Sequence, residues 1–185
     1  MIRDHSNSLL ESRPKIAVHE QLRCATGHCS LGVILTASSK LGICCILLGD
    51  DSGPLLAELQ RRFPNAETVA GDWEDDKLVA KVVSFVDSPG TELDLPVDVR
   101  GTVFQKRVWQ ALREIPFGTT TSYKEIAARI GHPKSIRAVA GACAANPIAL
   151  VIPCHRVVRS DGHLSGFRWG IERKRRLIQN EILSR

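Results

Sequence analysis

Two helix starts in the second half of the chain carry the same signature, and together they restrict the fold more than any other stretch. Thr102 is followed three residues later by Gln105, and Ser122 three residues later by Glu125. A hydroxyl placed just before a helix accepts from its third backbone N–H, and the Glu or Gln reaches back to the N–H of the capping residue, so two otherwise unpaired donors are satisfied together. After the first signature Phe104, Val108, Leu112 and Ile115 recur at helical spacing until Pro116 and Gly118 stop the run. The second opens a helix through Ile130, and Gly131-His132-Pro133-Lys134 turns the chain into another helix over 135–146. Helix, four-residue turn, helix is the pattern of the DNA-binding helix-turn-helix, and equally of two helices packed for structure alone.

The second helix of this pair is nearly without bulk, since it carries Ala138, Ala140, Gly141, Ala142, Ala144 and Ala145. Such a surface can approach another body closely. A helix that reads base edges needs Arg, Asn or Gln side chains, and here only Arg137 stands at its start. This composition points to backbone or minor-groove contact with little sequence preference; a buried alanine-rich helix is the competing reading. Charge distribution favours the first. Residues 1–100 hold ten basic against fifteen acidic side chains, a net of −5, whereas 101–185 hold fifteen against five, a net of +10. A basic half joined to an acidic half faces a polyanion.

The first half reads differently. Two runs over 31–37 and 41–48, rich in Ile, Val, Leu and Cys and separated by Ser38-Ser39-Lys40, form a hairpin. Gly49 to Pro54 break the sheet, Leu55, Leu56, Leu59 and Phe63 follow at helical spacing, and a second helix is expected over 72–85. Ser88-Pro89-Gly90 and an extended 93–99 segment lead into the basic half. With 43% of its residues hydrophobic, the 185-residue chain can bury a core sufficient for one large domain or two small ones. Its longest apolar stretches, 43–48 and 147–153, fall far short of the roughly 18 residues of a membrane span, and 1–11 lack the apolar centre of a secretory signal. We therefore expect no membrane association and a cytoplasmic protein whose six cysteines are reduced thiols.

One of those thiols stands out. An apolar run over 148–152, read as a buried strand, ends in Pro153-Cys154-His155-Arg156 and presents Cys154 to a pocket. A cysteine attacks as the thiolate, and at its ordinary pKa only a few per cent is ionised at neutral pH, so a base or a positive field must stand close. His155 is adjacent, but neighbours in an extended chain point to opposite faces, so a bent backbone or a bridging water is needed. A third member is suggested by a last helix over 172–183, where Lys174, Leu177, Ile178, Glu181 and Ile182 share one face. Glu181 is either the carboxylate that orients His155 or a solvated residue at a helix end.

Taken together, Asn146-Pro147, Pro153-Cys154-His155-Arg156-Val157-Val158, and Tyr123 and Arg137 within a helix-turn-helix resemble the O6-alkylguanine-DNA alkyltransferases, the methylated-DNA–protein-cysteine S-methyltransferases. The segment from Arg159 to Gly170 is most similar to the carboxy-terminal domain of the Ada-type members, and the resemblance runs from about His19 to Glu181. It implies an α/β fold: an amino-terminal, ribonuclease-H-like α/β subdomain over 19–99, then a helical subdomain over 100–185 with a winged-helix-like helix-turn-helix. Residues 1–18 would be a leftover linker, because the zinc-binding first domain of Ada proteins has no counterpart in this sequence.

The implied reaction is transfer of an alkyl group from O6-alkylguanine, and from O4-alkylthymine, in double-stranded DNA to the protein's own cysteine. The base is flipped out, each molecule reacts once, and no cofactor takes part. By the family motif Cys154 is the nucleophile, His155 takes its proton through a water, Glu181 orients His155, Asn146 holds the supporting turn and Tyr123 donates to the leaving base. Arg137 fills the gap in the stack, with Lys124, Ala138 and Ser160 also on the DNA side. Val157, Ser165, Phe167, Arg168 and Trp169 form the substrate pocket. Cys24, His28 and Cys29 invite a metal reading, but Ada-like members place a strand there, and no metal is expected. The resemblance also implies a monomer, cytoplasmic and nucleoid-associated when bound to DNA. A DNA-binding regulator on the same scaffold is the alternative, and the presence of Cys154 argues against it.

Overall fold

The computed structural model describes residues 20–88, 90 and 93–184. The linker expected over 1–18 lies outside them. Strands β1 (Glu20–Cys29), β2 (Gly32–Ser39), β3 (Gly42–Gly49) and β4 (Ala66–Ala70) form one sheet in the order β3-β2-β1-β4. The first three are antiparallel, and β4 joins parallel to β1, with Glu20 opposite Ala66 and Cys24 opposite Ala70. Helices α1 (Ser52–Arg62) and α2 (Trp73–Asp87) pack against it. Nearly every residue of β2 and β3 is buried, as expected for strands covered on both faces. That is why they read as continuous apolar runs, and the expected hairpin is there. β1 and β4 were not legible as a pair, because their exposed positions break the run with Glu20, Gln21, Thr26, His28 and Glu67.

The mixed α/β expectation holds: the amino-terminal part is rich in sheet and the carboxy-terminal part is helical. The latter comprises α3 (Val103–Arg113), α4 (Tyr123–Arg129), α5 (Ile136–Ala144) and α6 (Ile171–Leu183), with β5 (Thr121–Ser122) and β6 (Val157–Val158) as a two-stranded parallel sheet. Both capping boxes form: Thr102 Oγ1 accepts from Gln105 N while Thr102 N donates to the Gln105 side chain, and Ser122 and Glu125 do the same. A third, Asp72 with Asp75, opens α2. Between α4 and α5 the turn is made at Gly131, where φ is +77°, a conformation that side chains with a Cβ resist. Trp109 of α3 donates from Nε1 to the Ala142 carbonyl at 2.8 Å and fixes α5 against α3.

One expectation fails. Residues 148–152 are not a strand. Leu150 has φ of +72°, Val151 N donates to Ala149 O, and Ile152 N donates to Ile148 O, so the segment turns on itself. Composition misleads here because a buried tight turn must also be apolar. Only its first residues reach a sheet: Ile46 N donates to Pro147 O at 2.9 Å and Ala149 N to Ile46 O at 3.2 Å, on the outer edge of β3. Further along the same edge Ile43 N donates to Pro96 O and Asp98 N to Ile43 O. Gly42 has φ of +132° at that crossing, and a Cβ there would lie 2.6 Å from the Pro96 oxygen.

Thr102→Ala should remove a capping hydroxyl far from any pocket. We expect a loss of about 1 kcal/mol in urea unfolding with an unchanged denaturant slope.

Candidate active site

The residues around Cys154 are assembled by the turn that replaced the expected strand. Asn146, wholly buried, donates from Nδ2 to the Ile152 carbonyl at 2.8 Å and accepts at Oδ1 from Ile148 N at 2.9 Å, so one amide ties both ends of the turn. The same Nδ2 lies 3.2 Å from Cys154 Sγ and donates to the sulfur. Residues Cys154–Arg156 then form one turn of 3-10 helix, which supplies the bent backbone that an adjacent cysteine and histidine require.

His155 and Arg156 both reach a single carboxylate. Glu181 of α6 is 2% exposed; its Oε1 accepts from His155 Nε2 at 2.7 Å and from Arg156 Nη2 at 3.1 Å, and its Oε2 from Arg156 Nε at 2.8 Å and Gly118 N at 3.2 Å. Burial alone would raise the Glu181 pKa, but its hydrogen bonds and charge interactions with His155 and Arg156 outweigh that and hold it at about 2. It is therefore ionised, and His155 carries its proton on Nε2. Burial also lowers the His155 pKa against the opposing pull of Glu181, so the ring is neutral and its Nδ1, buried and without a partner, is a free base. Arg156 completes the knot by donating from Nη1 to Ile115 O at 2.7 Å at the end of α3.

Cys154 forms part of the wall of a cavity of about 420 Å³, with Tyr123, Ala140, Cys143, Ala144, Ser165 and Arg168 among its neighbours. Burial pushes its thiol up to about 11, against hydrogen bonding from Asn146 and the charge of Lys174. At rest it is a thiol, and a base must take its proton as it reacts. Tyr123 is a phenol whose pKa burial raises; its hydroxyl lies 2.6 Å from Ser165 Oγ.

Of the sequence candidates, Cys154, Tyr123, Ser165, Phe167 and Arg168 line this cavity. Val157 and Trp169 stand one layer behind. Val157 is buried in β6 with its carbonyl accepting from Lys174 Nζ at 2.6 Å, and Trp169 stacks edge-on against Phe167. Lys124, Arg137, Ala138 and Ser160 are exposed on the basic part, and Ala138, Gly141 and Ala144 form the open, slim face of α5. Cys24, His28 and Cys29 lie along β1. On α6, Ile182 faces outward at 54% exposure and not with the buried set.

Three members of the site were missed in the sequence. Lys174 is fully buried and donates to Val157 O and, at 3.3 Å, to Ser165 Oγ. Its place on the same apolar helix face as Glu181 was the available signal. Arg156 stood in the Pro-Cys-His-Arg segment as a charge beside Cys154, but its partner, 25 residues away, was not legible. Cys143 gave no signal, because a small apolar residue on a helix does not announce a cavity.

Comparison with known proteins follows this geometry. Residues 103–182 match the family model "6-O-methylguanine DNA methyltransferase, DNA binding domain". The chain is 39% identical over 151 residues to a methylated-DNA–protein-cysteine methyltransferase of Mycolicibacterium paratuberculosis, covering 79% of this chain and 90% of that one. It belongs to this methyltransferase family. It is also 52% identical over 160 residues to the bifunctional transcriptional activator/DNA repair enzyme Ada of Escherichia coli, covering 86% of this chain but 45% of that protein. The chain thus spans less than half the length of its Ada relative. A crystal structure of Mycobacterium tuberculosis OGT in complex with DNA superimposes with a TM-score of 0.72 at 33% identity, over 89% of this chain and 94% of that one.

Glu181→Gln should expose the electrostatic role of this carboxylate. A carboxyl whose pKa falls from 4.5 to about 2 on folding stabilises the native state above pH 4.5, and that contribution disappears as pH falls through about 2. The pH-dependent part of the stability gap between wild type and Glu181→Gln should be on the order of 3 kcal/mol at pH 7 and shrink steadily below pH 4.5. Urea unfolding across that range measures it; a gap independent of pH would place the ionised carboxylate elsewhere.

Proposed function

We propose that the chain repairs DNA by transferring an alkyl group from O6 of guanine, and from O4 of thymine, to Cys154. The observation that carries this reading is the pairing of a buried thiol in a cavity wall with a neutral histidine whose one free ring nitrogen is oriented by an ionised carboxylate. His155 takes the thiol proton at Nδ1 through a bridging water, and Glu181 stabilises the imidazolium that results. The sulfur bonds to the alkyl carbon as the carbon–oxygen bond breaks, Tyr123 donates a proton to N3 of the departing base, and the tyrosinate so formed is reprotonated through water as the His155 imidazolium gives its proton up. In the net reaction the thiol's proton ends on guanine and the alkyl group on sulfur.

A base stacked in a duplex cannot reach this cavity. Extruding it costs a few kcal/mol, which phosphate contacts from the basic part must offset. The slim face of α5, with Ala138, Gly141 and Ala144 outward, suits close approach to a groove, and Arg137, exposed in its first turn, is the residue we assign to enter the stack. The reading treats 19–99 as an α/β support and 100–185 as the reacting subdomain, in a monomer acting on duplex DNA in the cytoplasm. Among the described residues no helix is long and apolar enough to cross a membrane. The binding-only alternative is not favoured, because it leaves Cys154 and its histidine without a task.

A thioether offers no leaving group that the site can assist, so each molecule should react once. Titrating protein against excess methylated duplex should plateau at one alkyl group per molecule, with the added mass on the Cys154 peptide. Cys154→Ala should abolish transfer and retain DNA binding; a plateau well above one equivalent, or transfer by Cys154→Ala, would overturn the mechanism. Arg137→Ala should slow repair of duplex while leaving the reaction with free O6-benzylguanine near normal, and equal losses on both would remove Arg137 from the base-flipping step. DNA affinity should fall steeply between roughly 50 and 200 mM salt as counterions compete for phosphate.

A further inference from the structure

One wall of the cavity is a segment without regular secondary structure, 159–170; besides the Trp169 carbonyl, which accepts from Arg173 Nη1 at 2.9 Å, it is held at an inner and an outer point. At the inner point Ser165 is gripped by Tyr123 and Lys174. At the outer point Arg168 donates from Nη1 to the Ala144 carbonyl, at the end of α5, at 3.2 Å, and from Nη2 to Glu58 Oε1 of α1. Glu58 lies 110 residues away in sequence and belongs to the amino-terminal part. It also accepts from Arg61 Nε at 2.9 Å and Arg62 Nε at 2.8 Å, so one carboxylate holds three guanidinium groups together. Arg62 and Glu58 are largely buried, with side chains 12% and 23% exposed, which limits screening by solvent.

Phe167 and Gly166, beside Arg168, are part of the same cavity wall. Removing the Glu58 charge leaves Arg61, Arg62 and Arg168 without their shared carboxylate; exposed Arg61 can turn into solvent, and of the two more buried guanidinium groups Arg168 is the freer, since it sits on an irregular segment and not on α1. Its departure would loosen 166–168 between Ser165, gripped by Tyr123 and Lys174, and Trp169, whose carbonyl Arg173 holds. The mouth of the cavity would then widen without disturbing Cys154, Asn146 or the Glu181 knot.

We propose that Glu58 is a specificity-determining positioning residue: through Arg168 it sets the width of the alkyl pocket, so that the amino-terminal part of the chain selects which alkyl groups reach Cys154. This rests on the alkyl-transfer reading above. The tether discriminates against bulky groups, which need the wall displaced, and is indifferent to methyl.

The test compares full-length wild type, Glu58→Gln, Glu58→Asp, Arg168→Ala and the Glu58→Gln/Arg168→Ala double variant. Second-order rates of Cys154 alkylation are measured with duplex bearing O6-benzylguanine and the same duplex bearing O6-methylguanine. Glu58→Gln should raise the benzyl-to-methyl ratio roughly fivefold, Arg168→Ala should do the same, and the double variant should go no further, since both act on one tether. Glu58→Asp, which keeps the charge, should stay near wild type. Carbamidomethylation of Cys154 by iodoacetamide, which needs no DNA, should quicken in Glu58→Gln in parallel. An unchanged ratio and unchanged carbamidomethylation in Glu58→Gln would overturn the proposal, as would additive effects in the double variant. Failure of wild type to be alkylated by either duplex would instead overturn the functional reading, and this proposal with it.

Discussion

The carboxylate of Glu181 is a full negative charge placed where water does not reach, and the geometry of the site is the set of groups that make its position tolerable. Arg156 supplies the opposing charge through two nitrogens, Gly118 a backbone N–H, and His155 a ring N–H. Each of these is thereby fixed in turn. Arg156 also caps the carbonyl of Ile115, so the end of α3, the loop at Gly118, the 3-10 turn at Cys154 and helix α6 converge on two oxygens. Because His155 is only one partner of a carboxylate already neutralised by Arg156, it can remain uncharged and serve as a base. A histidine alone against a buried glutamate would instead be driven toward the charged form, which cannot accept a proton. Burial is the main reason the histidine stays unprotonated, and the arginine in Pro-Cys-His-Arg adds to it by opposing the pull of Glu181.

A second constraint lies in the sheet. The outer edge of β3 presents unpaired backbone groups that need covering, and they are met by 96–98 and by 147–149. The second of these is the beginning of the turn that Asn146 organises. The sheet thus has a direct part in the site: the backbone that aims Cys154 is anchored to Ile46, and the wall of the cavity is anchored to Glu58. Both anchors come from the acidic half, which carries none of the residues that touch the reacting atoms.

What could be read from the sequence follows the range of the forces involved. Caps at Thr102 and Ser122, the turn at Gly131 and the hairpin are decided within a few residues, and the sequence displays each of them. The placement of Glu181 on an apolar helix face was likewise visible as a pattern, although its partners were not. The turn at Leu150 was misread because burial demands apolar side chains whether the backbone is extended or folded on itself, and only the left-handed φ of a leucine distinguishes the two. The pairings of Arg156 with Glu181 and of Arg168 with Glu58 left no local trace. The resemblance to a known family assigned expected roles to residues that spacing alone left as one reading among several, but it did not reveal the contacts that Arg156 and Lys174 make around them.

The covering of β3 also has a temporal side. On a ribosome the chain appears from its amino terminus, so the hairpin of β2 and β3 can form while its outer edge has no partner. The first cover, at 96–98, is about fifty residues behind; the second, at 147–149, is about a hundred. In that interval an apolar strand, Ile43-Cys44-Cys45-Ile46-Leu47-Leu48, stands open along one side with its hydrogen-bonding groups free, the condition in which strands add to one another between chains. The segment that finally closes the edge leads into the turn that holds Cys154, so the same step of folding covers this apolar edge and assembles the surroundings of the thiol.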